Sequence, residues 1–481
     1  MLHLLAAAAS LVLLLSPAIA QPPDPPIPAA GDDIALARRA LETIHPGYDR
    51  YTPRAALDEA WDRLAREASQ GMNERALYTR LSEITALIRC SHTKVEPSAP
   101  WAAWRADAPS YLPLRLGTSA GATVVLASAT PDIRPGDEIR SIDGVPSVTL
   151  MGRLVSLVPA DGFTDESRWF ALGGMSDLDD CEFDHFAPFV QPIANPARIE
   201  VRAPSESVSR LVDVPLVTRA RRAELLGPPA PANLDEAVSL SFPAPGVGLL
   251  RIGTFVAYRK NIAPADIYRP LFERLRDEHA RTLIIDLRDN GGGSDSAAID
   301  LLRFLLAEPL TISGKAWVRT YRFGDLTDRL ETWDRSVLSL PDQAFTPLDN
   351  GYFQLNAQPE SFDPLLPTFT GRVIALCGPA NQSGATLCLA GLRDRRNATL
   401  IGEPTGGSVE GPTAGVILFL PLPHSGFKLR IPAIRSVTGL PATPGRGIDP
   451  DITVNTTARD LVAKRDPVLD AALREAARPQ P

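Results

Sequence analysis

One segment constrains the fold of this chain more than any other, because an apolar run leads directly into three glycines. Residues 283–294 read LIIDLRDNGGGS. A mostly apolar run of this length is typical of a strand that is covered on both faces, as in a parallel sheet. Three glycines allow a close backbone approach and turn N–H groups outward. The segment therefore predicts a buried strand and a turn, which either is purely structural or uses its amides to bind an oxyanion or a phosphate.

Strands alternate with helices on both sides of this segment, which predicts an α/β domain over residues 236–460. The predicted strands cover 247–252, 283–287, 373–376 and 399–402. The predicted helices cover 264–280 and 296–306, and another begins near Ser383. The glycine turn matches neither GxxxxGK[ST] nor GxGxxG, so the sequence gives little support for nucleotide binding.

Two smaller regions precede this domain. Apolar residues recur at helical spacing over residues 32–105, which predicts a helical cap. Residues 106–235 form a β-rich module, with a predicted strand at 123–128 and glycine turns around Gly136 and Gly144. The pattern around these turns resembles part of a PDZ domain, and the alternative is another small β-rich domain. Residues 160–235 give no clear pattern, and residues 461–481 are interpreted as a C-terminal tail.

The N-terminus has the pattern of a secretory signal. Residues 4–16 are apolar, and Ala18-Ile19-Ala20 forms an A-x-A cleavage pattern before Gln21. The alternative is an uncleaved anchor helix, for which the stretch is short. Residues 1–20 are therefore interpreted as a signal peptide and residues 21–31 as a Pro-rich linker. We expect an exported protein, periplasmic or extracellular, with no membrane span after signal removal.

Charge and cysteine content exclude some partners and leave others open. The net charge is −8, and the chain has no large Lys/Arg cluster, which argues against nucleic acid as a partner. The four cysteines are Cys90, Cys181, Cys377 and Cys388. They allow three complete disulfide pairings, and buried free thiols are an equal alternative. Without a CxxC pair we expect no metal site, and nothing in the sequence calls for a cofactor.

Ser383 lies where a buried strand, a turn and a helix follow one another in VIALCGPANQSGATLCLAG (373–391). The first N–H groups of a helix are unpaired and partly positive, so they favour a developing oxyanion. A serine at this join can act as a nucleophile. The alternative is that Ser383 simply caps the helix, which is the common role of serine in this position.

His92 follows an apolar helical run in LIRCSHTKV (87–95) and is flanked by hydroxyl residues. A neutral imidazole can take a proton from a serine hydroxyl, and histidine titrates close to neutral pH. The alternative is an ordinary surface histidine or one satisfied in the core. Only the fold can bring His92 to Ser383, because the two residues lie far apart in the sequence.

Taken together and in order, these segments resemble the tail-specific (C-terminal processing) and tricorn-core serine protease family, over roughly residues 85–460. The segment DLRDNGG matches the family pattern "DLR-N-GG", and ATLIGEPTGG (398–407) matches "ATLIGE-T-G". A closing "G--PD--V" pattern recurs at residues 447–454. The resemblance implies a crotonase-like α/β peptidase core, which is the fold class we expect, with the helical cap and the PDZ-like module added to it.

The resemblance also assigns roles to individual residues. It implies that Ser383 is the nucleophile and that backbone N–H groups of Gly384 and of Gly292 or Gly293 hold the oxyanion. The tail-specific branch has a lysine base where this chain has Ser408. The tricorn branch instead uses a histidine preceded by serine, which Ser91-His92 matches. The resemblance therefore implies His92 as the base.

The third member of the catalytic relay is the least defined. The tricorn branch has a late Glu, whereas residues 442–447 of this chain contain none. A carboxylate or amide is still expected beside the histidine, to hold its tautomer. Glu410 and Glu403 are the candidates for this carboxylate. Glu403 can alternatively be structural. Ser91 is a candidate for a hydrogen bond within the relay.

The resulting hypothesis is an exported serine peptidase that acts on protein or peptide substrates. Two alternatives remain: a catalytically silent relative that binds peptide or another ligand, and an esterase acting on non-peptide substrates. By resemblance, the PDZ-like module would bind or gate peptide C-termini. The sequence does not decide the substrate preference, the oligomeric state or the disulfide pairing.

Overall fold

The computed structural model describes residues 22–479 apart from 120, 175–177, 228–230, 313–314 and 439–441. The predicted signal peptide, residues 1–20, therefore lies outside the described residues. Within the described part of the chain, no helix is long and apolar enough to cross a membrane.

A six-stranded sheet, called here the central sheet, forms the middle of the α/β domain. Its strands in spatial order are Ile452–Thr453, Thr399–Gly402, Arg372–Cys377, Thr282–Asp286, Val247–Ile252 and Val238–Ala244. All neighbours are parallel except the last pair. The strand Thr282–Asp286 is buried along its whole length, as its apolar run predicts. The predicted strands of this domain are confirmed to within a residue.

Helices cover both faces of the central sheet. Successive strand residues point to opposite faces, so Leu283 and Ile285 pack with one core cluster and Ile284 with another. The first face carries the helices Pro264–Asp277, Asp295–Arg303 and Ser383–Arg396.

The opposite face of the central sheet is covered by the C-terminal segment. The helix Pro467–Ala476 buries Val468, Ala471 and Ala472 against this face, after a short helix at Ala458–Val462. Residues 461–481 were interpreted as a tail. The apolar side of the last helix is instead part of the core, so this interpretation was wrong for the described residues.

The helical cap contains four helices. They are Ala30–Ile44, Arg54–Ala68, Glu74–Leu87 and Ala99–Asp107. The segment before the first helix was expected to be a linker. It is extended, but Ile27 is buried and its N–H donates to Met72 O at 2.8 Å. The described part of this segment therefore packs on the cap.

The β-rich module is built on a second, antiparallel sheet. Its strands are Leu114–Ser119, Ala122–Ser128, Glu138–Ile142, Val145–Pro146, Ala197–Arg202 and Arg210–Val214. Its helices are Ser147–Val155, Asp165–Ala171, Glu182–Val190 and Arg219–Leu226, with a short helix at Leu234–Ala237 leading to the central sheet. Three of these four helices lie in the stretch that had no readable pattern.

A third sheet, called here the outer sheet, connects the cap to the α/β domain. Its strands are Lys94–Glu96, Lys315–Val318, Phe345–Pro347, Phe353–Asn356, Thr413–Pro421 and Lys428–Ser436. The first of them pairs with Lys428–Ser436, with Val95 opposite Leu429. A separate pair joins Leu310–Ile312 to Glu360–Phe362, and three 3₁₀ turns lie at Gly324–Arg329, Arg335–Ser339 and Asp342–Ala344. Sequence patterns did not predict this sheet.

Candidate active site

Two turns meet at one edge of the central sheet. The strands Thr282–Asp286 and Arg372–Cys377 are parallel neighbours, with Asp286 opposite Leu376. Their carboxyl ends therefore lie side by side, which is where open α/β sheets place their ligand sites. The glycine turn follows the first strand, and the turn that leads to Ser383 follows the second. A side-chain carbon placed on Gly292 would lie 3.0 Å from Ser383 Cβ, so the two turns are in direct contact.

Asn381 holds these two turns together. Its side-chain Nδ2 donates to Leu287 O at 2.5 Å and to Asn290 O at 3.0 Å. Its Oδ1 accepts the N–H of Gly378 at 2.8 Å. Asn381 has no exposed surface, so water does not compete for these bonds. One amide side chain thus fixes the position of the Ser383 turn relative to the glycine turn.

Ser383 has an unusual backbone conformation. It is the first residue of the helix Ser383–Arg396, and its φ is +49°. The preceding residue, Gln382, occupies the N-cap position without a side-chain cap bond. Ser383 is therefore not the N-cap, which removes the capping alternative. A left-handed conformation costs a non-glycine residue roughly 1 kcal/mol, and strain of this kind is concentrated at functional sites.

The N–H groups near Ser383 differ in their availability. The N–H of Gly292 donates to Asn290 Oδ1 at 2.8 Å and is therefore engaged within its own turn. Gly384 follows Ser383 in the first turn of the helix, where backbone N–H groups have no intrahelical acceptor. Gly293 lies next along the glycine turn and lines the same cavity as Ser383. Gly384 and Gly293 are thus the better-placed donors of the three predicted glycines.

Several of the predicted residues line one large cavity. Its volume is about 2720 Å³, and its lining includes Ser383, the glycine turn, Ser91 and His92. The outer sheet brings His92 there, because the strand Lys94–Glu96 directly after it pairs with Lys428–Ser436. The cavity continues along the edge strand Leu114–Ser119 of the β-rich module. The fold therefore brings His92 and Ser383 to one space despite their separation in sequence.

This arrangement agrees with a family match in the same part of the chain. Residues 246–454, which contain the glycine turn and Ser383, match the sequence profile of peptidase family S41. Over this segment the chain is similar to peptidase family S41. A comparison with curated proteins gave no match.

A solved structure of CPAF shares the fold across most of the chain. Mature CPAF complexed with lactacystin superposes with a TM-score of 0.62, at 16% identity, covering 93% of this chain and 97% of that one. The photosystem II D1 C-terminal processing protease matches at 14% identity and a TM-score of 0.44, covering 89% and 94%. The tricorn protease matches at 16% identity and 0.39, covering 93% of this chain and 36% of that one. The first of these establishes a mixed α/β fold of the S41 type.

Ser91 contacts the ring of His92 at the large cavity. Its Oγ lies 3.2 Å from His92 Nδ1, and its N–H donates to Asp161 Oδ1 at 2.9 Å. Asp161 is 5% exposed, and its Oδ2 has no hydrogen-bond partner among the described residues. A carboxylate oxygen of Asp161 also lies within 4.8 Å of a ring nitrogen of His92. The structure therefore places a buried carboxylate beside the Ser91-His92 pair.

Sequence patterns did not point to Asp161. It lies in the loop after the helix Ser147–Val155, at the start of the stretch without a readable pattern. That loop is held against the His92 segment, because Gly162 and Arg89 exchange two hydrogen bonds, Gly162 N–H to Arg89 O at 3.0 Å and Arg89 Nη1 to Gly162 O at 2.8 Å. Asp161 is therefore recognised as a neighbour of His92 only from this packing.

Glu410 and Glu403 lie in different surroundings. Glu410 accepts hydrogen bonds from Arg50, from Tyr51 Oη at 2.7 Å and from Gly445 N–H at 3.2 Å. Burial opposes ionisation of Glu410, but these donors and the charge of Arg50 lower its pKa overall. Glu410 is absent from the cavity lining, whereas Glu403 lines the cavity and has its pKa raised by burial. The hydrogen bonds of Glu410 connect the cap to the segment around Gly445.

All four cysteines are buried free thiols in the structure. Burial raises the pKa of Cys90, Cys377 and Cys388 to about 12. Of the two possibilities left open by the sequence, disulfides and free thiols, the structure has the second. Cys90 is the one that lies next to the Ser91-His92 pair.

Proposed function

We propose that this S41 peptidase hydrolyses peptide bonds through an acyl-enzyme on Ser383, with His92 as the general base. The observation that carries the proposal is the strained backbone of Ser383 at a helix start, facing a cavity that His92 also lines. The cavity is larger than the roughly 300–1,000 Å³ typical of small-molecule sites, which favours a polypeptide substrate over a small ester.

In the proposed reaction Ser383 Oγ attacks the scissile carbonyl carbon while His92 takes its proton. The N–H groups of Gly384 and Gly293 stabilise the negative oxygen of the tetrahedral intermediate. The intermediate collapses, the peptide C–N bond breaks, and His92 returns the proton to the leaving amine. Water then attacks the acyl-enzyme by the same route, which releases the acid product and frees Ser383.

We propose Asp161, rather than Glu410, as the carboxylate that positions His92. Asp161 is buried, holds Ser91 N–H, and has a second oxygen without a partner among the described residues. Its negative charge would stabilise the imidazolium formed when Ser383 loses its proton. A carboxylate oxygen of Asp161 lies within 4.8 Å of a ring nitrogen of His92, and catalytic hydrogen bonds often tighten only when substrate binds.

The β-rich module supports a further part of the proposal, that it acts like a PDZ domain. Its edge strand Leu114–Ser119 lines the cavity, and an exposed sheet edge can pair with an extended peptide. We propose that the C-terminal part of a substrate lies along this edge while its scissile bond reaches Ser383.

The proposed catalytic pair is tested by labelling with a fluorophosphonate probe, followed by mass spectrometry of the modified peptide. We expect label on Ser383 in the wild type and none in Ser383→Ala or His92→Ala. The exposed Ser296 and His279 provide matched controls, and Ser296→Ala and His279→Asn should label like the wild type. A folded wild type that takes no label would contradict the proposal and favour the silent, ligand-binding relative. Peptide and ester substrates then separate a peptidase from an esterase.

Export is proposed on the signal-like pattern of residues 1–20. N-terminal sequencing of the protein recovered from a secreting bacterial host tests it. We expect the mature chain to begin at Gln21, whereas an intact Met1 terminus in the membrane fraction would favour the anchor-helix alternative.

A further inference from the structure

Three side chains with the chemistry of metal ligands meet beside the proposed base. The Cys90 Sγ, a ring nitrogen of His92 and a carboxylate oxygen of Asp161 all lie within 4.8 Å of one another. Thiolate, imidazole and carboxylate are the ligands that Zn²⁺ takes, and in a tetrahedral site their donor atoms lie roughly 3.5 Å apart. Side-chain movements of about 1 Å would bring these three donor atoms to the spacing of a tetrahedral zinc site.

A second observation independently points to a ligand at this place. Asp161 is 5% exposed, and its Oδ2 has no hydrogen-bond partner among the described residues. A buried carboxylate oxygen without a partner is costly, and a cation removes that cost. The other oxygen is held by Ser91 N–H, so the carboxylate is already fixed in orientation.

The surroundings favour a soft cation with one open position. Cys90 is 3% exposed, whereas His92 is half-buried and lines the large cavity. Three protein ligands would therefore leave a fourth position facing the cavity, for water or a substrate group. Thiolate and imidazole select Zn²⁺ over Mg²⁺ and Ca²⁺, which prefer oxygen ligands.

We infer that Cys90, His92 and Asp161 form an inhibitory Zn²⁺ site, an inference that rests on the proposed role of His92 as base. Binding forms the Zn–S, Zn–N and Zn–O bonds and releases the thiol proton of Cys90 to solvent. The imidazole lone pair then coordinates zinc and cannot accept the proton of Ser383. The absence of a CxxC pair argued against a zinc site, but ligands from two separate segments come together only in the fold.

Metal binding is tested without any activity measurement. The Ser383→Ala protein is titrated with Co²⁺, which replaces Zn²⁺ and gives a near-ultraviolet charge-transfer band when a thiolate binds it. We expect one equivalent to produce the band and Zn²⁺ to remove it. Cys90→Ser, made in the same background, should lose the band, and the matched variant Cys388→Ser should keep it. No band, or a band that survives Cys90→Ser, would overturn the inference.

Inhibition is tested by fluorophosphonate labelling of the wild type with and without Zn²⁺. We expect Zn²⁺ to block labelling of the wild type and a chelator to restore it. Cys90→Ser should label normally without Zn²⁺, and the Zn²⁺ concentration that blocks its labelling should be higher by roughly tenfold or more. Labelling that Zn²⁺ leaves unchanged would refute the inhibitory site and leave the proposed function intact. A wild type that shows the Co²⁺ band but never labels would instead refute the proposed function and leave the metal site standing.

Discussion

Asn381 donates its side-chain amide to the main-chain oxygen of Asn290 across 3.0 Å. Both asparagines are buried, and the side chain of Asn290 in turn accepts the N–H of Gly292 in its own turn and donates to Ile252 O at the end of the neighbouring strand. The proposed nucleophile and the proposed oxyanion donors are therefore positioned by one hydrogen-bond network. Neither asparagine takes part in the proposed reaction, but their hydrogen bonds fix the positions of the groups that do.

Replacing Asn381 by Ala should impair both stability and reaction. The change removes the side-chain partner of Gly378 N–H and of Asn290 O in a buried place, whereas Leu287 O still accepts the N–H of Asn290 at 2.8 Å. We expect a loss of roughly 3 kcal/mol in the free energy of unfolding, because each buried unpaired group costs about 1–3 kcal/mol. Urea unfolding measures the loss, and the probe-labelling rate at Ser383 should fall in the folded variant. Gln358→Ala, at an exposed amide, should change neither quantity.

Replacing Ser383 by Gly should stabilise the protein while abolishing its reaction. Glycine adopts a φ of +49° without the steric cost that serine bears. We expect the free energy of unfolding to rise by about 1 kcal/mol, measured by urea unfolding beside Ser383→Ala. Asn397 at the other end of the same helix has a φ of +50°. Asn397→Gly should stabilise similarly and keep activity, and a destabilised Ser383→Gly would contradict the strain argument.

Asp161→Asn should lower the reaction rate strongly, whereas Glu410→Gln should leave it almost unchanged. If Asp161 orients His92, its amide variant should lower kcat by roughly 10⁴-fold, as happens when the relay aspartate of a serine protease is changed to its amide. KM and the melting temperature should change little, which distinguishes positioning from a general structural role. Glu410→Gln should keep kcat within about twofold, because Glu410 is bound to Arg50 and Tyr51 instead. A large loss of kcat in Glu410→Gln, with little change in Asp161→Asn, would instead identify Glu410 as the carboxylate that positions His92.

His45 should make the stability of the fold depend on pH. It is fully buried between Gly47 N–H and Thr93 Oγ1. Burial, aided by the charge of Arg319, lowers its pKa from 6.5 to about 3. The folded protein thus keeps His45 neutral, whereas the unfolded chain binds a proton below pH 6.5. The stabilising contribution is complete above pH 6.5 and decreases as the pH falls towards 3, by about 1.4 kcal/mol per unit.

Urea unfolding at pH 7 and pH 5 tests this dependence. The wild type should lose about 2 kcal/mol more than His45→Gln does between these two pH values. His279→Asn, which removes an exposed histidine, should behave like the wild type. Equal pH dependence in the wild type and His45→Gln would mean that His45 is protonated in the folded state.

The sequence predicted four of the six strands of the central sheet because their signals are local. The strand Thr282–Asp286 is apolar throughout and ends in glycines, so its neighbours in sequence suffice to identify it. Helical spacing of apolar residues likewise identified the cap. The last helix was missed, since Val468, Ala471 and Ala472 follow a polar stretch and form a narrow apolar side in a short segment.

The parts that sequence patterns missed depend on contacts between distant segments. The strand Lys94–Glu96 has only three residues, two of them charged, and it is a strand because Lys428–Ser436 lies beside it. Asp161 is an ordinary loop residue until Ser91 donates to it. The predicted roles of Ser383, His92 and the glycines remain predictions, for which the structure supplies a common cavity.

The pairing of Lys94–Glu96 with Lys428–Ser436 also sets the order in which the site can assemble. The ribosome makes the His92 segment early and its partner strand close to the end of the chain. Until that strand has emerged, the early segment lacks the pairing that fixes it beside the Ser383 turn. A growing chain therefore lacks the strand pairing that positions His92 until residues 428–436 have been made. The connectivity of the outer sheet thus makes assembly of the proposed site depend on synthesis of nearly the whole chain.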